Sequence, residues 1–193
     1  VPVFAVYSTF LQRSYDQLIH DVAMQNLKVI FAIDRAGFVG EDGESHQGVF
    51  DTSFLNSVVG LTVYAPSTFD ELEAMFYQGI YKTDGAVAIR YPRGGQFEIP
   101  VEYTYNHENY TIIGNENSKK CIVSYGREFS ECAKAYENLS DTFLIKLNKI
   151  KPIDTSIVNA LKNCDTVYFF EESIKNGSVG ETFASMLIEN DVK

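Results

Sequence analysis

Cysteine is scarce, positive charge is outnumbered, and no long apolar run is present. The three cysteines, Cys121, Cys132 and Cys164, form no CxxC pair. That odd, scattered set excludes a disulfide framework and a zinc knuckle, and a reducing, cytoplasmic setting is expected. Sixteen basic residues stand against twenty-six acidic ones, a net charge of -10. Such a surface repels polyphosphate backbones and anionic bilayers, so neither nucleic acid nor membrane is expected as a partner. No apolar stretch approaches the ~18 residues needed to span a bilayer. The Val1–Tyr7 stretch has no charged, cleavable signal pattern. No His, Cys and carboxylate grouping has metal-ligand spacing, so no metal ligands are expected from this chain.

What is present is enough apolar residue for a sizeable core, 45% against 22% charged. Apolar, β-rich runs at 3–7, 28–33, 61–65 and 86–91 alternate with helical periodicity at about 11–25, 52–58 and 68–82. That alternation predicts a parallel α/β sheet. Thr68 and Glu71 have capping-box spacing just after Pro66. Gly94–Ser118 interrupts the rhythm with Pro100, Gly114 and five asparagines or glutamines, and reads as a linker with a possible strand at 110–114. A second series follows: strand 121–125, helix 128–139, strand 142–147, helix 154–162, strand 166–171 and a helix from about 180. Nine of eleven lysines lie from Lys119 onward, while four of five arginines precede residue 94. The fold class expected is α/β, two parallel-sheet αβα domains at 1–95 and 118–193 joined by a 96–117 linker. Because the first residues read as a buried strand and the last as a helix with nothing after it, a piece of a longer chain is expected.

The segment Asp34–Gly48 carries most of the chemical information. It follows a strand ending at Ile33, holds four glycines, and brings Arg35, Asp42 and His46 into one loop. Open α/β sheets bind ligands where such loops leave the carboxyl ends of strands. The pattern is neither GxGxxG nor GxxxxGK[ST], which excludes the dinucleotide and P-loop fingerprints. An imidazole titrating near pH ~6.5 makes His46 a candidate acid or base. His20 and His107 read as structural.

Arg93 follows the strand at 86–91 after Pro92, and with Arg35 can clamp a phosphate through paired guanidinium forks. A lone arginine after a strand is equally well a solvated or paired charge, so spacing alone leaves this open. Tyr7–Arg13 is a strand-to-helix turn with two aromatics and a cation, in which Phe10, taken alone, reads as core. Asn176–Gly180 reads as a turn before a helix start rather than an anion cradle, and Glu171-Glu172 as a weak carboxylate pair.

Taken together and in order, YSTFLQRSYDQLIHDV, FAIDRAGFVGEDGESHQGVFD, APS and RYPRGG resemble the 1-deoxy-D-xylulose-5-phosphate synthase family. Weaker likeness continues through KPID and the EES segment. Transketolase and the beta subunit of 2-oxo-acid dehydrogenases share the architecture, and are the rival enzyme readings. A non-catalytic dimerisation or interaction module is the rival of another class.

The resemblance implies a thiamine diphosphate transferase, homodimeric when intact, that joins a two-carbon unit from pyruvate to glyceraldehyde 3-phosphate. In the family the product feeds isoprenoid, thiamine and pyridoxal synthesis. The resemblance also implies that Phe10 stacks on the aminopyrimidine with Arg13 nearby. Tyr7, Asp42 and His46 then face substrate, and Arg35 and Arg93 hold the aldehyde's phosphate. The family's magnesium ligands and its aminopyrimidine-activating glutamate match nothing in these 193 residues. The chain is therefore expected to carry the substrate half of a site, with a C-terminal domain truncated before its last strands.

Overall fold

The structure, a computed structural model, describes residues 1–192. Its first half threads β1 (Val3–Tyr7), β2 (Ile30–Asp34), β3 (Thr62–Tyr64) and β4 (Val87–Arg90) into a parallel sheet. Between β1 and β2 a helical run over 8–23 opens with α1 (Ser8–Leu11), continues through α2 (Tyr15–Gln17), and finishes as a π-helical segment, Leu18–Ala23. The crossovers α3 (Asp51–Ser57) and α4 (Phe69–Tyr81) follow. Thr68 caps α4 by accepting from the Glu71 N–H, as half of the predicted capping box requires, while the Glu71 carboxylate reaches past the cap to accept from the Ser67 N–H at 2.6 Å.

The second half contains β5 (Tyr110–Ile113), β6 (Lys120–Tyr125), α5 (Glu128–Tyr136), β7 (Thr142–Leu147), β8 (Lys149–Lys151), α6 (Val158–Leu161), β9 (Thr166–Phe170) and α7 (Val179–Glu189). The sheet orders are β1-β2-β4-β3-β8 and β5-β7-β6-β9. Both sheets are α/β as expected, with parallel centres, yet each carries an antiparallel strand at one edge. Strand β5 runs against β7, and β8 leaves the second half to pair antiparallel with β3 of the first. Residues 96–109 contain no helix or strand, and Tyr103, Tyr105 and Gln96 reach α4.

The expectation of a buried first strand is corrected by the structure. Strand β1 forms, but as an edge with one neighbour, leaving Val3 52% and Phe4 47% exposed. An apolar run alone cannot distinguish a central strand from an edge one. Among the described residues, no helix is long and apolar enough to cross a membrane.

The two halves share their largest core, beside one smaller cluster within each half. One cluster joins Ile33, Leu55 and Val63 of the first to Tyr125, Ile145 and Phe183 of the second. Polar groups cross the same boundary. Lys146 on β7 and Glu71 on α4, both fully buried, pair at 2.8 Å. The Tyr103 hydroxyl donates to the same carboxylate, and Lys146 also donates to Asn148 Oδ1 at 2.6 Å. Lys151 on β8 donates to the carbonyls of Leu55, Asn56 and Val58, satisfying the end of α3 with a cation, as the helix dipole favours.

Candidate active site

Three strand ends meet at the carboxyl edge of the first sheet, where β1 delivers Tyr7, β2 delivers Asp34 and Arg35, and β4 runs on through Tyr91 to Arg93. This is the edge at which parallel sheets bind ligands. The glycine-rich segment is a loop closed at its base. Gly37 and Gly48 exchange two backbone hydrogen bonds of 2.9 and 2.7 Å. A Cβ on Gly48 would collide with the Arg35 carbonyl, so the two limbs can approach only as glycine. Inside the loop, the Gln47 amide spans it as a strut. Its Oε1 accepts from the Val39 N–H and its Nε2 donates to the Val39 and Gly43 carbonyls, each at 2.6 Å.

The strut sets the short turn Gly40–Asp42, which aims its carboxylates at the arginines. Arg35 Nε meets Asp42 Oδ2 at 2.9 Å, and Arg93 Nη1 meets Asp42 Oδ1 at 3.1 Å. Two arginines from different strand ends thus share the two oxygens of one carboxylate. Asp34 pairs with Arg35 as well, and Glu41 with Arg93 at 2.9 Å. Beside them lies a cleft of about 280 Å³ lined by Arg35, Arg93, Ser67, Thr68, Phe69 and Gln96 among others.

A second cluster adjoins the first. Arg35 stacks over the Tyr7 ring at 3.7 Å, and Tyr7 lies parallel to Phe10 at 5.5 Å. His46 stands edge-on to Phe10 at 5.2 Å and to Tyr7 at 6.4 Å. Ser45 holds His46 Nδ1 at 3.0 Å and is itself anchored by Thr9, which donates to the Ser45 carbonyl. Arg13 lies 5.3 Å from the Phe10 centroid, a cation–π distance. The structure brings Tyr7, Phe10, Arg13, Arg35, Asp42, His46 and Arg93 into one continuous constellation. Phe10, 37% exposed, is a surface aromatic and not the core residue that its sequence context alone suggests.

Other histidines stay outside. His20 is exposed beside Asp16, and His107 stacks on Tyr105 away from the loop. Ser178 caps α7, and Glu171 fills the helix start by accepting from the Gly180 N–H at 2.9 Å. The segment before α7 is therefore a capped turn, with no space for an outside anion.

Sequence reasoning missed the support beneath the loop. Arg90 is buried against Asp51 at 3.0 Å and also reaches the Gly48 carbonyl. Burial is the largest single influence and lowers the Arg90 pKa, but the charge and hydrogen bond of Asp51, with Tyr125 and Glu172, together outweigh it and hold the pKa above its ordinary range. Arg127 and Glu172 of the second half lie against the ascending limb. No local signal could have found them, because each partner is tens of residues away.

The chemistry of the donor set fits part of a thiamine cofactor. An accessible aromatic face and a cation suit an aminopyrimidine ring. Among the described residues no group of three or more His, Cys, Asp or Glu could hold a metal ion.

Residues 1–96 match the family model described as transketolase, pyrimidine binding domain, and 109–193 that of transketolase, C-terminal domain. A protein of Pseudoalteromonas translucida named 1-deoxy-D-xylulose-5-phosphate synthase is 42% identical over 182 residues, covering 93% of this chain and 29% of its own length. One of the same name from Chlorobaculum tepidum is 42% identical over 193 residues, covering 96% and 30%. The chain thus spans about three tenths of the length of these curated relatives. A split-gene transketolase solved as an inactive beta4 tetramer superposes with a TM-score of 0.83 at 21% identity, covering 99% of this chain and 64% of that one. A Campylobacter jejuni transketolase superposes at 0.69 with 17% identity, covering 98% and 35%.

Proposed function

The chain belongs to the transketolase family, and from that premise we propose that it is the substrate-binding part of a 1-deoxy-D-xylulose-5-phosphate synthase. Its substrates are then pyruvate and glyceraldehyde 3-phosphate. Relatives bearing the synthase name stand at 39–42% identity, whereas the split-gene and Campylobacter jejuni transketolases stand at 21% and 17%, which favours this reading over a pentose-phosphate ketol transferase. The single observation that carries it is Asp42 bridged by Arg35 and Arg93. Donors that converge on the two oxygens of one carboxylate are spaced to converge on one phosphate.

Thiamine diphosphate with magnesium, when bound, supplies the carbanion chemistry that takes a two-carbon unit from pyruvate with loss of carbon dioxide. Phe10, backed by Tyr7, offers the ring platform, and Arg13 lies beside it. Magnesium and the diphosphate are assigned to a part of the protein outside this chain. Arg35 and Arg93 hold the aldehyde's phosphate, Asp42 spaces them, and Tyr7 supports the Arg35 guanidinium. His46 gives a proton to the aldehyde oxygen as the carbon–carbon bond forms. Homodimeric assembly belongs to the same proposal.

Removing either arginine costs about 1.5–3 kcal/mol, the range for hydrogen bonds to charged groups, or roughly ten- to hundredfold in apparent affinity for glyceraldehyde 3-phosphate. Steady-state kinetics of Arg35→Ala and Arg93→Ala in the intact enzyme measure this. An unchanged KM for the aldehyde in both variants rejects the clamp. Competition between glyceraldehyde 3-phosphate and pentose phosphates as acceptors separates the synthase from other members of the family.

For this chain alone, isothermal titration with thiamine diphosphate and magnesium is expected to show no saturable micromolar binding. The Phe10 face contributes about 0.5–1.5 kcal/mol against an association cost of roughly 4–15 kcal/mol. Micromolar binding would mean that the cofactor's charged end is held by residues other than those proposed.

A further inference from the structure

The residues that hold the loop in place come largely from the other domain. Phe38, the first residue after the Gly37–Gly48 closure, is held at its carbonyl, and Gly37 just before it is held by close packing. Arg127, in the turn before α5, donates from Nη1 to the Phe38 carbonyl at 3.2 Å. Glu172 lies just past β9. Arg127 and Glu172 are themselves 3.9 Å apart, so the two ends of the grip are held together by opposite charge. Glu172 also presses on Gly37, where φ is +80° and an added Cβ would collide with its carboxylate.

The same segment holds the descending limb. Ser173 Oγ donates to the Val49 carbonyl at 3.2 Å, and the Ile174 N–H donates to it at 3.0 Å. Both limbs of the loop are therefore seated on residues 172–174, while its tip, carrying Asp42 and His46, is held by its own Gln47 strut and by Thr9. Burial raises the Glu172 pKa, and the Arg127 charge offsets this only in part.

We propose that Arg127 and Glu172 are positioning residues: the second domain grips the Gly37–Phe38 backbone and so sets where Asp42 and His46 stand over the substrate. The assignment rests on the synthase reading for the identity of the reaction and on the geometry above for the loop. A loop tip displaced by about 1 Å can cost on the order of 10²-fold in rate, because proton transfer and phosphate capture both need alignment. The second domain then takes part in catalysis without placing an atom on the substrate.

Two measurements test it, and the first needs no reaction. Hydrogen exchange on this chain should show the amides of Val39–His46 opening roughly ten- to hundredfold faster in Arg127→Met and Glu172→Gln, with those of β6 and α7 unchanged. In the intact enzyme, Arg127→Met should lower kcat by about 10- to 100-fold with KM for pyruvate held within about twofold. Arg127→Lys, which keeps a cationic donor for the Phe38 carbonyl, should restore most of the loss. Exchange that is unaltered, or that rises equally across the second sheet, overturns the grip; a loosened loop with full kcat overturns its part in positioning. If the wild-type enzyme consumes no pyruvate while the loop still loosens in the variants, the synthase reading fails and the grip stands.

Discussion

His46→Ala is expected to lower product formation by about 10²- to 10⁴-fold in the intact enzyme, the range for losing a general acid, while cofactor binding persists. The imidazole is placed for this by three independent supports. Ser45 engages Nδ1, so Nε2 is the nitrogen left to donate. The stacked Phe10 and Tyr7 rings both pack against it edge-on. The loop that carries it is closed by the Gly37–Gly48 pair and braced by Gln47. Because Phe10 and Arg13 are untouched by the substitution, the pyrimidine platform should survive. Turnover is followed as product formed per pyruvate consumed, and normal product formation in His46→Ala would remove the residue from the reaction.

Lys146→Met should destabilise the fold by about 3–5 kcal/mol, the cost of removing one partner of a buried ion pair. Glu71 would be left fully buried, with only the Ser67 N–H and the Tyr103 hydroxyl still directed at it. The loss should fall on the fold as a whole, since α4 belongs to the first sheet's layer and β7 to the second sheet. Combining Lys146→Met with Glu71→Gln should return most of the stability, because a neutral amide no longer demands a counter-charge. Urea titration of the single and double variants reads both effects. A single variant within about 1 kcal/mol of the parent would show that the pair is dispensable.

Much of this architecture was legible because its signals are local. The four parallel strands of the first sheet were read from short apolar runs, and α4 from Thr68 and Glu71. The loop could be singled out because four glycines in fifteen residues say where backbone must approach backbone. Edges were not legible. Strand β1 looks central by composition, and β8 is three residues, Lys149–Lys151, with charged ends that resemble a turn. The same limit applies to the site. Aromatic and arginine positions carried by the family likeness converge in space, whereas Arg90–Asp51, Arg127 and Glu172 depend on pairings over 39 residues or more and leave no periodic trace. Lys146 read as one more lysine in a lysine-rich half, and only the folded chain reveals it as fully buried.

The borrowed strand β8 also governs the order in which this protein can be made. Strand β4 closes the parallel part of the first sheet at Arg90, but the outer neighbour of β3 is not present until Lys151. At a ribosomal pace of about 5–20 residues per second, the roughly 60 intervening residues leave that edge bare for some 3–12 s. During that time β3 offers unpaired amides and carbonyls to any passing strand. The nascent chain is then most exposed to misassembly, and to chaperone capture, in the interval between the synthesis of β4 and that of β8.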